Sequence, residues 1–403
     1  MDVPFPEALL VVGLLIAVSA ALSGLMRGTV LSISVLAVAA GIALGLADVI
    51  TVDPGSPGLV ELVELALILT LFSDGLLVER ELLQRHWQAP ARALVVAMPV
   101  TLALLALAAK LLFADLSWAE AFLLGAVLAP TDPVVTSSVV SSVHVPASVR
   151  HALNLESGLN DGLALPFVLF FLILAESQGG AGAELTSLVG EAAAGAVIGA
   201  GLGLLGGRLI PRLPGGHMTE RYEGLYALGL GLIAFGVAEL TFGNGLIAVF
   251  VAGIALAAAE HEVQEAFVRF NENLSSIFQV LTFFAFGALV VATGWHDAVW
   301  PLLVFVPFAL LVARPAAVRL ALLGTALPRV HRAFIAWFGP KGVASMLFAL
   351  FVLHSQDPGR TLVFDIAAFV ILGSILAHGL TDTVGARWID RRLGEEGAAG
   401  KPG

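Results

Sequence analysis

The chain has 403 residues, of which 58% are hydrophobic and only 13% are charged, and its mean hydropathy is +0.96. Soluble domains carry about 25% charged residues, so this composition excludes an ordinary soluble protein and indicates an all-α polytopic membrane protein. The net charge of −11 is consistent with acidic loops and helix ends, and the absence of cysteine excludes disulfides and thiolate metal sites.

Apolar runs of membrane-spanning length follow one another without an intervening soluble domain, so that 1–403 reads as a single transmembrane domain. We identify thirteen, at roughly 7–25, 28–47, 59–79, 91–113, 117–143, 151–176, 183–207, 222–242, 244–260, 274–294, 299–319, 333–354 and 361–386. The division between the eighth and ninth runs depends on Gly243 and Asn244 alone. We interpret the N-terminal segment as the start of the first helix and not as a signal peptide.

The basic residues test this helix count independently. If the N-terminus lies outside, the cytoplasmic loops and the C-terminal segment hold nearly all of them, whereas the opposite loops hold only Lys110 and Arg360. This positive-inside pattern predicts an outside N-terminus, a cytoplasmic C-terminus and an odd number of helices. The segment 387–403 would be a short cytoplasmic tail of a protein of the cell membrane.

Two of the apolar runs are interrupted near their middle. Thr131-Asp132-Pro133 breaks the fifth run, and Gly339-Pro340-Lys341 breaks the twelfth. The two prolines are 207 positions apart, and the same shift brings the fourth and sixth runs onto the eleventh and thirteenth. Helices 4–6 (91–176) and 11–13 (299–386) therefore look like inverted copies of one unit. Paired interrupted helices in inverted repeats point to the binding site of a transporter.

A polar sequence, Glu156-Ser157-Gly158-Leu159-Asn160-Asp161, lies inside the sixth apolar run. Counting inward from Arg150 at about 1.5 Å per residue places Asp161 roughly 16 Å deep, at the midplane of a ~30 Å hydrocarbon core. Thr131 lies at a similar depth. An ionisable group there costs at least ~2.5–3.5 kcal/mol, which a chain tolerates mainly where function needs the charge.

The oxygens at this level form a suitable ligand set for a hard cation. We predict that Asp161 binds Na⁺ or a proton, with Thr131, Ser157 and Glu156 as further oxygens, because Ser157 and Asp161 share one helix face. The carbonyls that end the first half-helix, near Ala129, would be additional ligands at the negative end of the helix dipole.

A single carboxylate that binds either ion is sufficient for exchange. Proton and cation would compete for Asp161 while the site opens alternately to the two sides of the membrane. Because the neighbouring Asn160 is neutral, the two loaded forms would carry the same charge, and the exchange would move no net charge. Asn160 could also serve as an interhelical hydrogen-bonding residue.

The charged residues around this site have supporting roles with structural alternatives. Glu156 and Arg314 lie about 9 and ~8 Å from the cytoplasmic edge, which predicts a buried ion pair, although Arg314 could instead snorkel. Lys341 is predicted to compensate the broken helix dipoles. Asp132 is either the N-cap of the restarting half-helix or a ligand. Asp74 would line the cytoplasmic approach or be an ordinary helix-end carboxylate.

These motifs, together with Arg314-Pro315 and Gly339-Pro340-Lys341-Gly342, resemble those of the monovalent cation/proton antiporters, in particular the electroneutral sodium/proton exchangers. The resemblance covers nearly the whole chain. It implies a homodimer, an ion-translocating bundle of helices 4–6 and 11–13, and a dimerisation scaffold formed by the remaining helices (7–79 and 183–294).

The resemblance also implies roles for individual residues. Asp161 would carry the cation or proton with help from Thr131, Ser157 and Glu156, and neutral Asn160 would mark an electroneutral member. The arginine at the position of Arg314 pairs with the residue matching Glu156. One departure is that the family's Gly-x-Arg-Gly motif has a lysine here at position 341, which keeps the charge but loses the planar fork.

The sequence thus predicts a secondary antiporter that exchanges Na⁺, or Li⁺, for H⁺. K⁺/H⁺ exchange by the same fold stays open, and a cation channel or a proton-coupled organic anion carrier are more distant alternatives. No nucleotide loop, nucleophile elbow or zinc-ligand pair occurs, so we expect no enzymatic activity, cofactor or nucleic-acid partner. The expected partners are monovalent cations, protons, the lipid bilayer and a second copy of the chain. We interpret His378 and Gln279, lone polar residues in apolar runs, as packing features.

Overall fold

The computed structural model describes residues 5–26, 33–50, 52–53, 56–82, 91–132, 145–177, 182–209, 220–259, 261–292, 299–325 and 327–399. Within these ranges every regular element is a helix, which confirms the all-α fold class. The helices of the first half are α1 (Phe5–Met26), α2 (Ile33–Leu46), α3 (Pro57–Leu82), α4 (Ala93–Leu112), α5 (Trp118–Leu128), α6 (Ala147–Glu176) and α7 (Gly182–Leu209).

The second half contains the remaining helices of the described chain. These are α8 (Glu220–Glu239), α9 (Gly245–Ala259), α10 (His261–Ala292), α11 (Val299–Phe308, a π-helical turn Ala309–Ala313, then Arg314–Ala321), α12 (Arg329–Trp337), α13 (Val343–Leu353) and α14 (Arg360–Ala399). Each of the thirteen predicted apolar runs contains helical structure in the described residues, and the interrupted twelfth run is divided into α12 and α13. The second half of the fifth run, 133–143, lies outside the described residues.

Side-chain caps explain where two of the helices begin. Ser117 starts α5 with a capping box, in which its side chain accepts from the Glu120 N–H while the Glu120 carboxylate accepts from the Ser117 N–H. Asn244 starts α9, because its side-chain oxygen accepts from the Ile247 N–H at 3.0 Å. The division between the eighth and ninth predicted runs is therefore confirmed.

A π-helical turn precedes a proline in both α4 and α11. The turns span Ala93–Ala97 and Ala309–Ala313, and they are followed by Pro99 and Pro315. Proline has no N–H to donate, so the regular α-helical hydrogen bond cannot form there. The sequences 93–99 and 309–315 agree in five of seven positions, at a spacing of 216 residues. The two copies of the repeat are therefore 216 residues apart at α4 and α11, not 207 as at the prolines of the two breaks.

Helix packing joins α4, α5, α6 and α11–α14 into one group and α2, α3 and α7–α10 into another. Within the first group, α5 packs against α4, α6 and α14, and α11 packs against α4 and α12. Within the second group, α9 packs against α7 and α3, and α10 packs against α2 and α8. The two groups touch chiefly where α3 meets α6 and α13, where α6 meets α7, and where α10 meets α13.

Length and composition make five of the described helices suitable for crossing a membrane. The spans are Ala93–Leu112, Leu159–Glu176, Thr186–Leu209, Trp300–Ala321 and Arg360–Thr381, and five shorter apolar helices accompany them. Large apolar side chains such as Leu111, Val197 and Trp300 are exposed on the outer surface of the protein. An apolar exterior is suited to contact with lipid.

Candidate functional site

The breaks of the two interrupted helices touch through the backbone, and we call this contact the crossing. In the first, α5 ends at Leu128 and residues 129–132 are not helical. In the second, α12 ends at Trp337, residues 338–342 are not helical, and α13 begins at Val343. The Asp132 N–H donates to the Pro340 carbonyl at 2.9 Å, which holds the two breaks together.

Each break caps the helix of the other with a charged side chain. The Lys341 ammonium donates to the carbonyls of Ala129 (3.3 Å) and Pro130 (3.1 Å), at the C-terminal end of α5. The Asp132 carboxylate accepts from the Val343 N–H at 2.9 Å, at the N-terminal end of α13. Each charge therefore faces the helix end that its sign complements, and it satisfies backbone groups that the helix leaves without partners.

This arrangement differs from the sequence prediction at two points. The carbonyls of Ala129 and Pro130, expected to bind the cation, accept from Lys341, because an ammonium group held by the fold can occupy the negative end of the dipole permanently. The Asp132 carboxylate binds the N-terminus of α13, a contact that the sequence did not predict. The expected restart of the first interrupted helix after Asp132 lies outside the described residues.

Two glycines of the Gly-Pro-Lys-Gly motif allow charged groups to approach the second break. A Cβ atom at Gly339 would overlap the Arg314 guanidinium, and one at Gly342 would overlap the Asp132 carboxylate. The motif therefore has a steric basis, since a side chain at either position would displace a charge of the site.

Thr131, Ser157 and Asn160 form a buried hydrogen-bonded group beside the crossing. The Asn160 amide donates to Thr131 Oγ1 at 2.7 Å, and Thr131 Oγ1 lies 3.4 Å from Ser157 Oγ. The structure thus brings the first break next to the polar sequence of α6. Asn160 orients the Thr131 hydroxyl, which is a supporting role that leaves both hydroxyl oxygens side by side.

Asp161 is buried next to this group, with 7% of its surface exposed. Its Oδ1 atom is fully buried and has no hydrogen-bond partner among the residues that the structure describes, and the same holds for Oδ1 of Asn160. The charged side chains that act on Asp161 are Asp132 and Lys341. Two acceptor oxygens without donors, in a buried place, favour a bound cation or a proton.

Glu156 and Arg314 form a buried ion pair between α6 and α11. Arg314 Nη1 lies 2.7 Å from Glu156 Oε1, and the two side chains are 7% and 4% exposed. The alternative that Arg314 snorkels to the interface is wrong, since its side chain is buried in the protein. Within the described chain, Glu156 Oε2 has no hydrogen-bond partner, so one oxygen of Glu156 is free to face an ion.

Asp74 is half-buried in α3, and α3 packs directly against α6. One of its carboxylate oxygens is buried. The contact between α3 and α6 places Asp74 on a helix next to the polar sequence, while the path to the cytoplasm stays a prediction.

Ser374 and His378 of α14 are site residues that sequence reasoning missed. Ser374 Oγ accepts from the Lys341 N–H at 2.8 Å, and His378 Nε2 lies 3.0 Å from the Trp337 carbonyl. The interpretation of His378 as a packing feature was therefore incomplete. The available signal was the spacing of four residues, which places both side chains on one face of a helix.

A separate acidic group surrounds the loop between α13 and α14, outside the membrane-spanning helices. The Gln356 N–H donates to the Glu176 carboxylate at 2.9 Å, which ties the loop to the end of α6. Asp357 is 1% exposed, and the backbone N–H of Gly359 acts on its carboxylate. Burial, reinforced by the charges of Glu120 and Glu176, raises the pKa of Asp357 to about 6.

Comparison with known proteins gives one family and several relatives. The family model described as "Sodium/hydrogen exchanger, transmembrane" matches residues 13–385. The K⁺/H⁺ antiporter NhaP of Alkalimonas amylolytica is 27% identical over 82% of this chain and 58% of that protein. The Na⁺/H⁺ antiporter 2 of Zygosaccharomyces rouxii is 29% identical over 79% of this chain and 44% of that protein.

A solved structure has a similar fold over almost its whole length. The sodium proton antiporter MjNhaP1 from Methanocaldococcus jannaschii at pH 8 superposes with a TM-score of 0.75 and 21% identity, covering 96% of this chain and 98% of that one. The chain spans about half the length of the sequence relatives that it matches. Because the family model covers nearly all of it, this multi-pass membrane protein belongs to the sodium/hydrogen exchanger family.

Proposed function

We propose that the protein is a secondary antiporter that exchanges Na⁺ for H⁺ by alternating access. The observation that carries this proposal is Asp161, a buried carboxylate whose Oδ1 lacks a donor in the described chain. A group of this kind needs either a proton or a cation, and the two exclude each other at the same oxygen. Family membership supports transport as the general activity.

The charge balance of the site supports one-for-one, electroneutral exchange. Among the described residues at the crossing, the carboxylates of Asp132, Glu156 and Asp161 face the cationic side chains of Arg314 and Lys341, which leaves one negative charge. One proton or one Na⁺ neutralises it equally. The site would therefore have the same net charge in both transport directions, so the membrane potential would do no work on the cycle.

The proposed Na⁺ ligands are Asp161, Ser157, Thr131 and the free oxygen of Glu156. Hard cations close to Na⁺ in size bind oxygen atoms at about 2.3–2.6 Å. Two ligand oxygens that subtend a right angle at such a cation therefore lie roughly 3.3–3.7 Å from each other. The separation of 3.4 Å between Thr131 Oγ1 and Ser157 Oγ fits that range. K⁺ is the second candidate, because the relative from Alkalimonas amylolytica is named a K⁺/H⁺ antiporter.

We further propose that the two packing groups move against each other. Helices α4–α6 and α11–α14, spanning 91–176 and 299–386, would form the ion-translocating bundle, and the helices of 7–79 and 183–294 would form the scaffold of a homodimer. The packing of the helices into two groups, which meet mainly along α3, supports this division. The basic loops support a cell-membrane protein with its N-terminus outside and its C-terminus in the cytoplasm.

Purified protein in liposomes tests the transport proposal. Addition of Na⁺ or Li⁺ should drive proton efflux at a rate that does not change when the membrane potential is clamped at different values. Asp161→Asn should abolish the efflux, while Asp115→Asn, in an exposed loop, should leave it unchanged. Exchange by Asp161→Asn would exclude Asp161 as the carrier, a voltage-dependent rate would exclude electroneutrality, and a response to K⁺ alone would favour the second candidate.

A further inference from the structure

The non-helical segment 338–342 carries Lys341 and ends at the N-terminus of α13, so its position decides the geometry of the crossing. We infer that Ser374 and His378 of α14, which we call the α14 bracket, are positioning residues that hold this segment at both ends. The inference rests on the proposed antiport only for its functional consequence. The structural part depends on hydrogen bonds alone.

The α14 bracket binds the backbone on either side of the second break. Ser374 Oγ accepts from the Lys341 N–H at 2.8 Å, inside the segment. His378 Nε2 lies 3.0 Å from the carbonyl of Trp337, the last residue of α12. Ser374 and His378 are one helical turn apart, so a single face of α14 spans the break.

The Trp337 carbonyl determines that Nε2 of His378 carries a hydrogen, whereas Nδ1 has two neighbours, the hydroxyl and the carbonyl of Ser374. The Trp337 carbonyl can only accept, so Nε2 carries a hydrogen and donates. Nδ1 lies 3.2 Å from Ser374 Oγ and accepts from that hydroxyl in the neutral ring. A continuous chain then runs from the Lys341 N–H through the Ser374 hydroxyl and the imidazole to the Trp337 carbonyl.

An alternative protonation state breaks this chain. Nδ1 also lies 2.9 Å from the Ser374 carbonyl, to which a doubly protonated ring would donate. The Ser374 hydroxyl would then lose the ring as an acceptor. The bonds of Ser374 Oγ to the Lys341 N–H and of Nε2 to the Trp337 carbonyl form in both protonation states, so the bracket joins both ends of the break with either ring. Stacking of the imidazole on the Trp337 ring, with centroids 5.1 Å apart, fixes its plane.

The α14 bracket acts on the ion through other residues and does not touch it. Its bond to the Lys341 backbone fixes the residue whose ammonium caps α5. Two residues further on, the Val343 N–H donates to the Asp132 carboxylate. Lys341 and Asp132 are the charged groups that act on Asp161. A shift of the segment therefore changes the field at the ion-binding carboxylate without removing any ligand.

Ser374→Ala is the main test, with Tyr226→Phe as its matched control. Each variant removes one hydroxyl that bonds to the backbone of another part of the chain. Tyr226 Oη donates to the Gly206 carbonyl, in the scaffold, at 2.9 Å. Hydrogen–deuterium exchange on the full-length protein in lipid nanodiscs measures the protection of the amides in 338–343. Proteoliposome assays measure the Na⁺ concentration for half-maximal exchange and the pH profile of the rate.

We expect the Lys341 amide of Ser374→Ala to exchange at least about fivefold faster, the factor that corresponds to a ~1 kcal/mol hydrogen bond. The half-maximal Na⁺ concentration should rise about threefold or more and the pH profile should move, because the geometry around Asp161 is disturbed. Ser374→Thr, which keeps the hydroxyl, should restore both. Tyr226→Phe should change neither.

The two readouts separate the inference from the proposed antiport. Unchanged protection at 338–343 would overturn the anchoring role even if transport were altered. Faster amide exchange with an unchanged Na⁺ dependence and pH profile would overturn the positioning role. If the wild-type protein did not exchange Na⁺ for H⁺ at all, the amide measurement would still decide the anchoring. If Ser374→Ala did not fold, His378→Phe, which keeps an aromatic ring beside Trp337 but removes the bond to its carbonyl, would be measured in the same way. It should speed exchange of the amides in 338–343 and shift the Na⁺ dependence, and no change in either would overturn the inference.

Discussion

The buried pair of Glu156 and Arg314 allows a quantitative test of what joins the two repeats. At the observed 2.7 Å and an effective dielectric constant of about 20, the raw attraction is ~6 kcal/mol, from which desolvation of both groups must be subtracted. Removing one partner strands the other charge in the protein. We therefore expect Arg314→Met and Glu156→Met each to destabilise the protein by about 3–5 kcal/mol.

The double variant decides whether this cost comes from the stranded charge. With both side chains replaced by methionine no charge is left unpaired, so the loss should be smaller than the sum of the single losses by at least ~2 kcal/mol. Equilibrium unfolding in mixed micelles of increasing SDS content measures all four proteins. Arg92→Met is the control, because Arg92 is exposed and should cost less than ~1 kcal/mol. Additive losses, or an Arg314→Met loss no larger than that of Arg92→Met, would refute the reasoning.

Two further predictions concern the close packing at Gly339 and the titration of Asp357. Gly339→Ala should lower the free energy of unfolding by at least ~2 kcal/mol in the same assay, because its Cβ would displace the Arg314 guanidinium. Gly13→Ala is the control, and it should be neutral or slightly stabilising because the space around Gly13 is open. Equal effects of the two substitutions would contradict this account. The pKa of Asp357 is raised to about 6 in the folded protein, so folding binds a proton there and stability falls as pH rises from about 4 through 6. Asp357→Asn should therefore raise the thermal unfolding midpoint at pH 8 and leave it unchanged near pH 4. The control Asp115→Asn should show no such difference between the two pH values. A gain in stability confined to low pH would show that the predicted direction of the pH dependence is wrong.

The positions of the helices could be predicted because apolar length and polar interruptions are local properties of a sequence. Gly243 and Asn244 were sufficient to divide α8 from α9, since one ends an apolar run and the other caps the next helix. Gly339 and Pro340 likewise marked a true break between α12 and α13.

Contacts between side chains from distant segments of the site could be predicted only where depth in the membrane alone determines them. Counting residues from the loops put Glu156 and Arg314 at one level, and the structure joins them. Counting could not show that Asp132 binds the N-terminus of α13 or that Lys341 takes the last carbonyls of α5. Those bonds depend on how two distant segments cross, and neither segment contains a local signal of the other.

The reciprocal caps of the two breaks have a consequence for the order in which the protein is made. The Ala129 carbonyl precedes its Lys341 partner by 212 residues, and Asp132 precedes Val343 by 211. At about 5–20 residues per second, a ribosome needs roughly 10–40 s to cover that distance. During this interval the carbonyls of Ala129 and Pro130 and the Asp132 carboxylate lack the partners from the second repeat that they have in the folded protein. The first break is therefore completed last, because its reciprocal caps form only after residues 341–343 have been synthesised.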